Sequence, residues 1–292
     1  MVGTENRKVA FTVDLEEYSV PEEFGLEPLP GKSSIEISKG GVIRLLEILE
    51  KARIKATFFA TGFFTQKSPE LLREVVELGH EVASHGMKHS LPVSQTCAEK
   101  LTNLRKTNEI IENATGKTPV GFREPFLRIR EDTIRALEKL SFVYDSSLLP
   151  VHLPPKYNRI RGKPTLFTWD VEGQRKKSKP LLEIPISVTP LLRIPVGWWW
   201  FRKNFGQRLC LFGFNSIWRQ GQPVVLHVHP WELAELPYIP SIPFHVWFNC
   251  GEKSVAQVVN LLREVSGLNA TFVTMSNIAD WYHETHASSG SS

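Results

Sequence analysis

The sequence predicts an α/β protein whose strands lie parallel in one barrel-like sheet. Strand-like and helix-like stretches alternate over most of the 292 residues. Hydrophobic residues make up 41% of the chain, enough for one large core. Polar, chemically competent side chains recur at the ends of the strand-like stretches, which is where a parallel barrel builds its site. No long linker and no internal repeat is visible, so one domain over 1–286 is expected, with a disordered Ser/Gly tail at 287–292.

Each element has its own signal. From Lys8 to Leu15 the chain alternates, with Val9, Phe11, Val13 and Leu15 on one face and Ala10, Thr12, Asp14 and Glu16 on the other. After a Pro/Gly loop through Gly31, Ser38 is placed to cap a helix with the stripe Val42, Leu45, Leu46, Leu49. Lys55 to Ala60 reads as a buried strand. Pro69 opens a helix over Glu70 to Leu78 that Gly79 closes, and His80 to Ser84 is a third strand. The pattern continues with helix Thr96 to Ala114, strand Val120 to Arg123, helix Glu131 to Leu140 and strand Phe142 to Asp145. Pro150 to Pro180 shows little periodicity. Strands are expected at Leu181 to Ile186, Pro223 to His229 and Ala270 to Val273, with a helix over Lys253 to Val265.

Composition narrows the class of partner. The 35 basic and 31 acidic residues leave a surplus of +4, too small to imply nucleic acid. The short run Arg175 to Lys179 reads as a solvated loop. Cys97, Cys210 and Cys250 are scattered and form no CxxC, which argues against cysteine metal ligands and for a reducing compartment. There is no basic-then-apolar leader and no run of about eighteen apolar residues, so a cytoplasmic protein is expected.

The chemistry starts from His85 and His89 in Glu81-Val-Ala-Ser-His-Gly-Met-Lys-His89. Two neutral imidazoles four apart can face one divalent metal. Chance yields such a pair in about one chain in four of this histidine content, so its neighbours decide. Asp14 and Glu16 end the first strand on one side, with Glu17 turned away. Arg123 ends the fourth strand in Gly121-Phe-Arg-Glu-Pro-Phe126, Asp145 ends the next, and His229 ends a late one in Val225-Leu-His-Val-His-Pro-Trp-Glu232. Singly, each has a plain alternative: turn residues for the carboxylates, a hydrogen-bonded pair for the histidines, a surface ion pair for Arg123. His227 and His229 share a strand face, and one of them is expected to be a buried, hydrogen-bonded residue.

These motifs resemble the polysaccharide deacetylases of the NodB-homology type, carbohydrate esterase family 4, from about Val9 to Trp281. They are similar above all to a subgroup associated with exosortase and exopolysaccharide loci, through Thr12-Val-Asp-Leu-Glu-Glu-Tyr18, Ala83-Ser-His-Gly-Met-Lys-His89, Gly121-Phe-Arg-Glu-Pro125, Tyr144-Asp-Ser-Ser147, Leu182-Glu-Ile-Pro-Ile-Ser187, Pro195-Val-Gly197 and His229-Pro-Trp-Glu232. The resemblance implies a distorted (β/α)7 barrel, a divalent metal, usually Zn2+, and an acetylated amino-sugar substrate. It implies Asp14 as catalytic base, His85 and His89 as metal ligands, Arg123 as the residue orienting the base, His229 as general acid and Pro125 as a rigid turn at the substrate site. The family's first motif has two adjacent aspartates, and Leu15 stands at the second position. The acidic ligand then moves to Glu16, with Glu17 as the other choice. Asp145 is expected to orient His229, and Trp231 to contact substrate.

The implied chemistry is attack of water, activated by the metal and by Asp14, on an acetamide carbonyl, with His229 protonating the departing amine. Cobalt, nickel and manganese suit the same ligands. Two other functions remain open at this level: hydrolysis of a small amide or cyclic imide, and a carbohydrate-binding protein that lost catalysis, which Leu15 motivates. In Gly197-Trp-Trp-Trp-Phe-Arg202 the aromatics are read as a strand. Trp199 is taken as a sugar-stacking residue, or the run as an interfacial anchor beside Arg193, Arg202 and Lys203 for a lipid-linked substrate.

Overall fold

The computed structural model describes residues 7–31, 33–89, 95–152, 162–170 and 179–287. Arg175 to Ser178 of the basic run, and 288–292 of the expected tail, lie outside the described residues. Among the described residues the parallel strands, apart from a short last one, are β1 (Lys8–Leu15), β2 (Thr57–Ala60), β3 (Glu81–Ser84), β4 (Gly121–Phe122), β5 (Tyr144–Asp145), β7 (Leu182–Glu183) and β8 (Val224–Val228). Their order is β7-β5-β4-β3-β2-β1-β8, extended at one edge by β6 (Phe167–Thr168), antiparallel to β7. A short β9 (Thr271–Phe272) joins the start of β1.

β1 lies between β2 and β8 and is buried along its length after Lys8, one face apolar and the other carrying Thr12 and Asp14. Leu15 lies opposite Ala60, the last residue of β2, and Val13 opposite Val228, the last of β8, so the ends of the three strands lie within two residues of one level. The two edges meet irregularly. Ser187, just past β7, bonds Val225 of β8 through its N–H (3.2 Å) and its hydroxyl (2.8 Å). Gly197 takes the next bond, accepting from His227 N at 2.9 Å. A Cβ on Gly197 would lie 2.2 Å from Val225 O, so only glycine lets the chain close here. This is the distorted α/β barrel that the sequence predicts.

Helices cover the outside: α1 (Val20–Glu23), α2 (Ser34–Ala52), α3 (Gly62–Lys67), α4 (Pro69–Glu77), α5 (Cys97–Thr115), α6 (Glu131–Lys139), α7 (Trp199–Phe205), α8 (Gln207–Trp218), α9 (Phe244–Trp247), α10 (Glu252–Gly267) and α11 (Met275–Ala287). On α2 the expected stripe Val42, Leu45, Leu46, Leu49 is buried in the main core with Val9, Phe11 and Val13 of β1. Each such side chain contributes about 1.5–3 kcal/mol by leaving water.

Some expectations are corrected. The cap of α2 is Ser33, whose hydroxyl accepts from Glu36 N at 3.2 Å; Ser38 is a buried residue inside the helix. β3 begins at Glu81, because His80 is used otherwise: its Nδ1 accepts from Ala56 N at 3.1 Å. α11 continues through Ala287, one residue beyond the expected domain end. Most consequential, Trp199 and Trp200 open helix α7, and only Trp198 keeps a strand-like bridge, to His227. No helix among the described residues is long and apolar enough to cross a membrane.

Candidate active site

The ends of β1, β3, β4 and β8 bring Asp14, Glu16, His85, His89, Arg123, His227 and His229 together. Period-two geometry points Asp14 and Glu16 the same way, while Leu15 between them enters the core. Glu17 turns aside: its carboxylate accepts from His89 N at 3.2 Å and from Thr61 Oγ1 at 3.0 Å, fixing the loop that carries His89. Glu16 therefore faces the histidines. Its Oε2 lies 3.3 Å from His85 Nε2 and 3.1 Å from His89 Nε2.

The tautomers of both rings follow from their other nitrogens. His85 Nδ1–H donates to the carbonyl of Arg123 at 2.8 Å, and His89 Nδ1–H to Glu23 Oε1 at 3.1 Å. Both Nε2 lone pairs then point at Glu16 Oε2, the arrangement of a metal ligand held from behind. Glu16 Oε2 and His85 Nε2 are buried without a hydrogen-bond partner. Three donors of this type, two of them orphaned, fit a divalent cation. Without one, burial pushes the Glu16 carboxyl up, but His89, His229 and His85 outweigh it and hold the group at about 2.

Asp14 is held separately. Arg123 Nη1 donates to Asp14 Oδ1 at 2.6 Å and to Thr12 Oγ1 at 2.9 Å, while its Nε and Nη2 donate to Ser146 O and Oγ at 3.0 and 2.9 Å. The guanidinium also lies 4.0 Å over the Phe59 ring. His227 Nε2–H donates to Asp14 Oδ2 at 3.0 Å. Burial pushes the Asp14 carboxyl up, but Arg123, His227 and His85 hold it well below the usual carboxylate range. Asp14, His227 and His229 form a second metal-competent group by distance. In it the His227 N–H is already committed to Asp14, so Glu16, His85 and His89 are the better donor set.

His229 stands across the site on a short 3-10 turn, Pro230–Leu233. Its Nδ1–H donates to Glu232 Oε1 at 2.7 Å, and its Nε2 lies 3.8 Å from Glu16 Oε1. Glu232 Oε2 is in turn 3.4 Å from the buried Lys203 ammonium. Burial pulls the His229 imidazolium down, yet Glu16 and Glu232 raise it to about 9. Trp231 stacks on His229 at 4.8 Å and donates its Nε1–H to Glu16 Oε1 at 3.3 Å.

The structure corrects four expected roles. Asp145 does not reach His229: it accepts from Ser147 Oγ at 2.5 Å and lies opposite Glu183 on β7, and Glu232 is the residue that orients the histidine. Trp199 is buried in the core under the Arg202 guanidinium, 4.4 Å from its ring, whereas Trp198 and Trp200 line the cavity. Arg202 and Lys203 are buried, and Arg193 donates to Pro150 O and Gly162 O, so none of the three offers a free cation beside the aromatics. Pro125 is buried beneath the site, and the next residue, Phe126, forms its wall, 4.1 Å from the His89 ring. Phe126 and Leu127 have φ of 59° and 55°, a left-handed backbone costing about 1–3 kcal/mol per residue.

The resulting cavity, about 290 Å3, opens above Asp14, Glu16, His89 and His229 between Phe126, Trp198 and Trp200. A larger groove of about 640 Å3 runs between α2 and α10, away from these residues. Sequence reasoning missed Glu232, Lys203 and Glu23 as supports. Only the first had a legible signal, a carboxylate three residues after His229 behind a proline, the spacing of a reciprocal cap.

Residues 36–144 match the family described as polysaccharide deacetylase, and residues 146–279 match a domain of unknown function, DUF3473. The chain is 31% identical to the peptidoglycan deacetylase of Helicobacter pylori over 159 residues, 54% of this chain and 53% of that protein. It is 33% identical over 170 residues to a peptidoglycan deacetylase-like protein of Gibberella zeae, 53% of this chain and 50% of that one. The chain thus spans about half the length of these curated relatives. A Mycobacterium smegmatis structure assigned as a polysaccharide deacetylase superposes with a TM-score of 0.69 at 23% identity, covering 96% of this chain and 91% of that one. An allantoinase superposes with a TM-score of 0.70 at 18% identity, covering 98% and 93%. Both structures share the fold. By its two matched segments and its barrel, the chain belongs to the polysaccharide deacetylases of the NodB-homology type, carbohydrate esterase family 4, in the exopolysaccharide-associated subgroup whose deacetylase segment is followed by DUF3473.

Proposed function

We propose that this protein is a metal-dependent hydrolase removing N-acetyl groups from an amino sugar in a polysaccharide, glycan or glycolipid precursor. The observation that carries this reading is the convergence of Glu16 Oε2, His85 Nε2 and His89 Nε2, with a paired carboxylate and a raised imidazole on either side. Those three atoms would hold the cation, zinc in our reading. When bound, it supplies Lewis acidity to the water and to the amide carbonyl.

The chain's own residues do the rest. Arg123 and His227 keep Asp14 ionised and fixed, so that its carboxylate can take the proton of the attacking water. His229, protonated near neutrality and aimed by Glu232, gives a proton to the amide nitrogen as the C–N bond breaks. Acetate and a free amine result. An amide anion is a very poor leaving group, which is why a strong acid position opposite the base matters. Trp198, Trp200 and Phe126 offer ring faces on which a pyranose can stack. The reading of a degenerate binder loses its motive, because Glu16 faces the histidines although Leu15 does not. The names of the curated relatives favour a glycan over a small imide.

The test is metal analysis combined with acetate release from peptidoglycan and chitin fragments, with a ureide and a cyclic imide run in parallel. We expect about one cation per chain, lost together with acetate release in His85→Ala and Glu16→Ala. Metal-loaded protein that frees no acetate from any N-acetylated glycan, yet opens the ureide, would sink the proposal.

A further inference from the structure

Between Glu183 and Glu232 the sequence contains no acidic residue, yet it carries Arg193, Arg202, Lys203, Arg208 and Arg219. Arg202 and Lys203 are buried and Arg193 is bonded to Pro150 O and Gly162 O, so Arg208 and Arg219 are the cations that this acid-free segment exposes. Among the described residues the same segment carries the three most exposed large hydrophobic side chains, Leu191, Phe212 and Leu192. Leu191 is 85% exposed, Phe212 76%, Leu192 68% and Phe205 60%, with Leu209 beside them.

Leu209 and Phe212 share one exposed face of α8, between Arg208 and Arg219. α8 buries Cys210, Phe214, Ile217 and Trp218. Its opposite stripe, at helical spacing, is Arg208, Leu209, Phe212 and Arg219, all exposed. Gly213 faces Thr189 and Val196, where a Cβ would come within 3.1 and 2.7 Å of their side chains. That contact brings the turn bearing Leu191 and Leu192 against α8. Phe205, the last residue of α7 and one glycine before α8, meets Trp200 edge-on at 5.9 Å, and Trp200 meets Trp198 at 5.1 Å. An aromatic path therefore runs from the cavity wall to the exposed stripe. The acid-free face ends at Gln207, which donates to Glu264 of α10 at 2.6 Å.

We propose that this face seats the protein on an anionic lipid bilayer, with the cavity mouth alongside the membrane surface. Large apolar patches on soluble proteins mark interaction sites, and an apolar stripe flanked by arginines matches acyl chains below and anionic headgroups at the rim. The charge selects this occupant over a second copy of the chain, which would bring Arg208 and Arg219 against their own kind. The inference stands on the surface alone and does not depend on the reaction carried out in the cavity.

The experiment is co-sedimentation of the full chain with vesicles of phosphatidylcholine and phosphatidylglycerol, against pure phosphatidylcholine and across a salt series. The wild type should bind the anionic vesicles roughly tenfold more tightly than the neutral ones, less so as salt rises. Leu209→Ser with Phe212→Ser, and separately Arg208→Glu with Arg219→Glu, should each weaken binding by roughly tenfold. No binding by the wild type, or binding that either double variant leaves intact, overturns the proposal. Lipid-independent self-association that the serine pair abolishes reassigns the face to a second copy, and equally overturns it.

Discussion

At His229 two opposing effects act on one imidazole. Burial favours the neutral ring, while Glu16 at 3.8 Å and Glu232 at 2.7 Å favour the cation, and the carboxylates win, to about 9. A raised acid stays protonated below its pKa and loses its proton above it; a cation on Glu16 would cancel that carboxylate's share and leave Glu232 to hold the proton, and we expect the alkaline limb of the rate profile to belong to His229. Replacing Glu232 with Gln keeps the hydrogen bond but removes the charge. We expect the alkaline limb of kcat to move down by about one to two pH units, with activity lost far more at pH 9 than at pH 6. An unmoved limb would place the proton donor elsewhere. Sequence reading selected His229 from its place at a strand end, but assigned its support to Asp145. That residue instead shares a fully buried site with Glu183, where desolvation raises Asp145 to about 6. Two carboxylates on neighbouring strands, opposite in register, become partners only once the β5–β7 pairing is known. Asp14 and Glu16, by contrast, are set by period-two geometry at the end of β1, and His85 and Arg123 directly follow β3 and β4, so their places are visible in the chain; His89 depends on a loop that Glu17 holds.

At the scale of elements, α2 shows how a site is held from outside. Gly40 and Gly41 are adjacent in the helix, and their surroundings differ completely. A Cβ on Gly40 meets nothing within 4 Å, whereas one on Gly41 would lie 1.8 Å from the Pro230 carbonyl oxygen. The turn carrying His229, Trp231 and Glu232 thus rests directly on the backbone of α2. Gly40→Ala should stabilise by up to about 1 kcal/mol through helix propensity, with unchanged activity. Gly41→Ala gains the same propensity but must push the turn away, and we expect a net loss of about 1–3 kcal/mol and a fall in kcat. Thermal melts and acetate release on the two variants check both signs; equal behaviour would mean that the turn gives way freely. The sequence offers the pair as two equivalent helical glycines, since nothing local records what packs outside them. The aromatic run at 198–200 failed for a related reason. Tryptophans favour strands, but Gly197 and Trp198 already supply what β8 can bond, so the following residues turn into α7.

At the scale of the molecule, the deacetylase match ends at 144 and the second match begins at 146, a boundary that a reader of profiles would take for a domain border. We propose instead that the described chain unfolds as one unit, in keeping with the single domain that the lack of a long linker predicts. In support, β1 lies between β2 of the first segment and β8 of the second, and Arg123 and Asp14 are held with Ser146 and His227. β1 belongs to neither match, so separating the segments would expose one of its long edges and part the buried Asp14 from Arg123 or from His227, at a cost of several kcal/mol. The sequence supplies its own probe, because all 8 tryptophans lie beyond residue 145. Tryptophan fluorescence therefore follows only the second segment, while far-UV circular dichroism also follows α2, α4 and α5 of the first. In denaturant the two signals should trace one coincident transition, and a Gly197→Val variant, which opens the barrel at its closure, should shift both midpoints together. A fluorescence transition separated from the circular dichroism transition, or a Gly197→Val shift confined to the fluorescence, would mean two domains that merely touch. The catalytic residues would then be assembled across an interface rather than within one core.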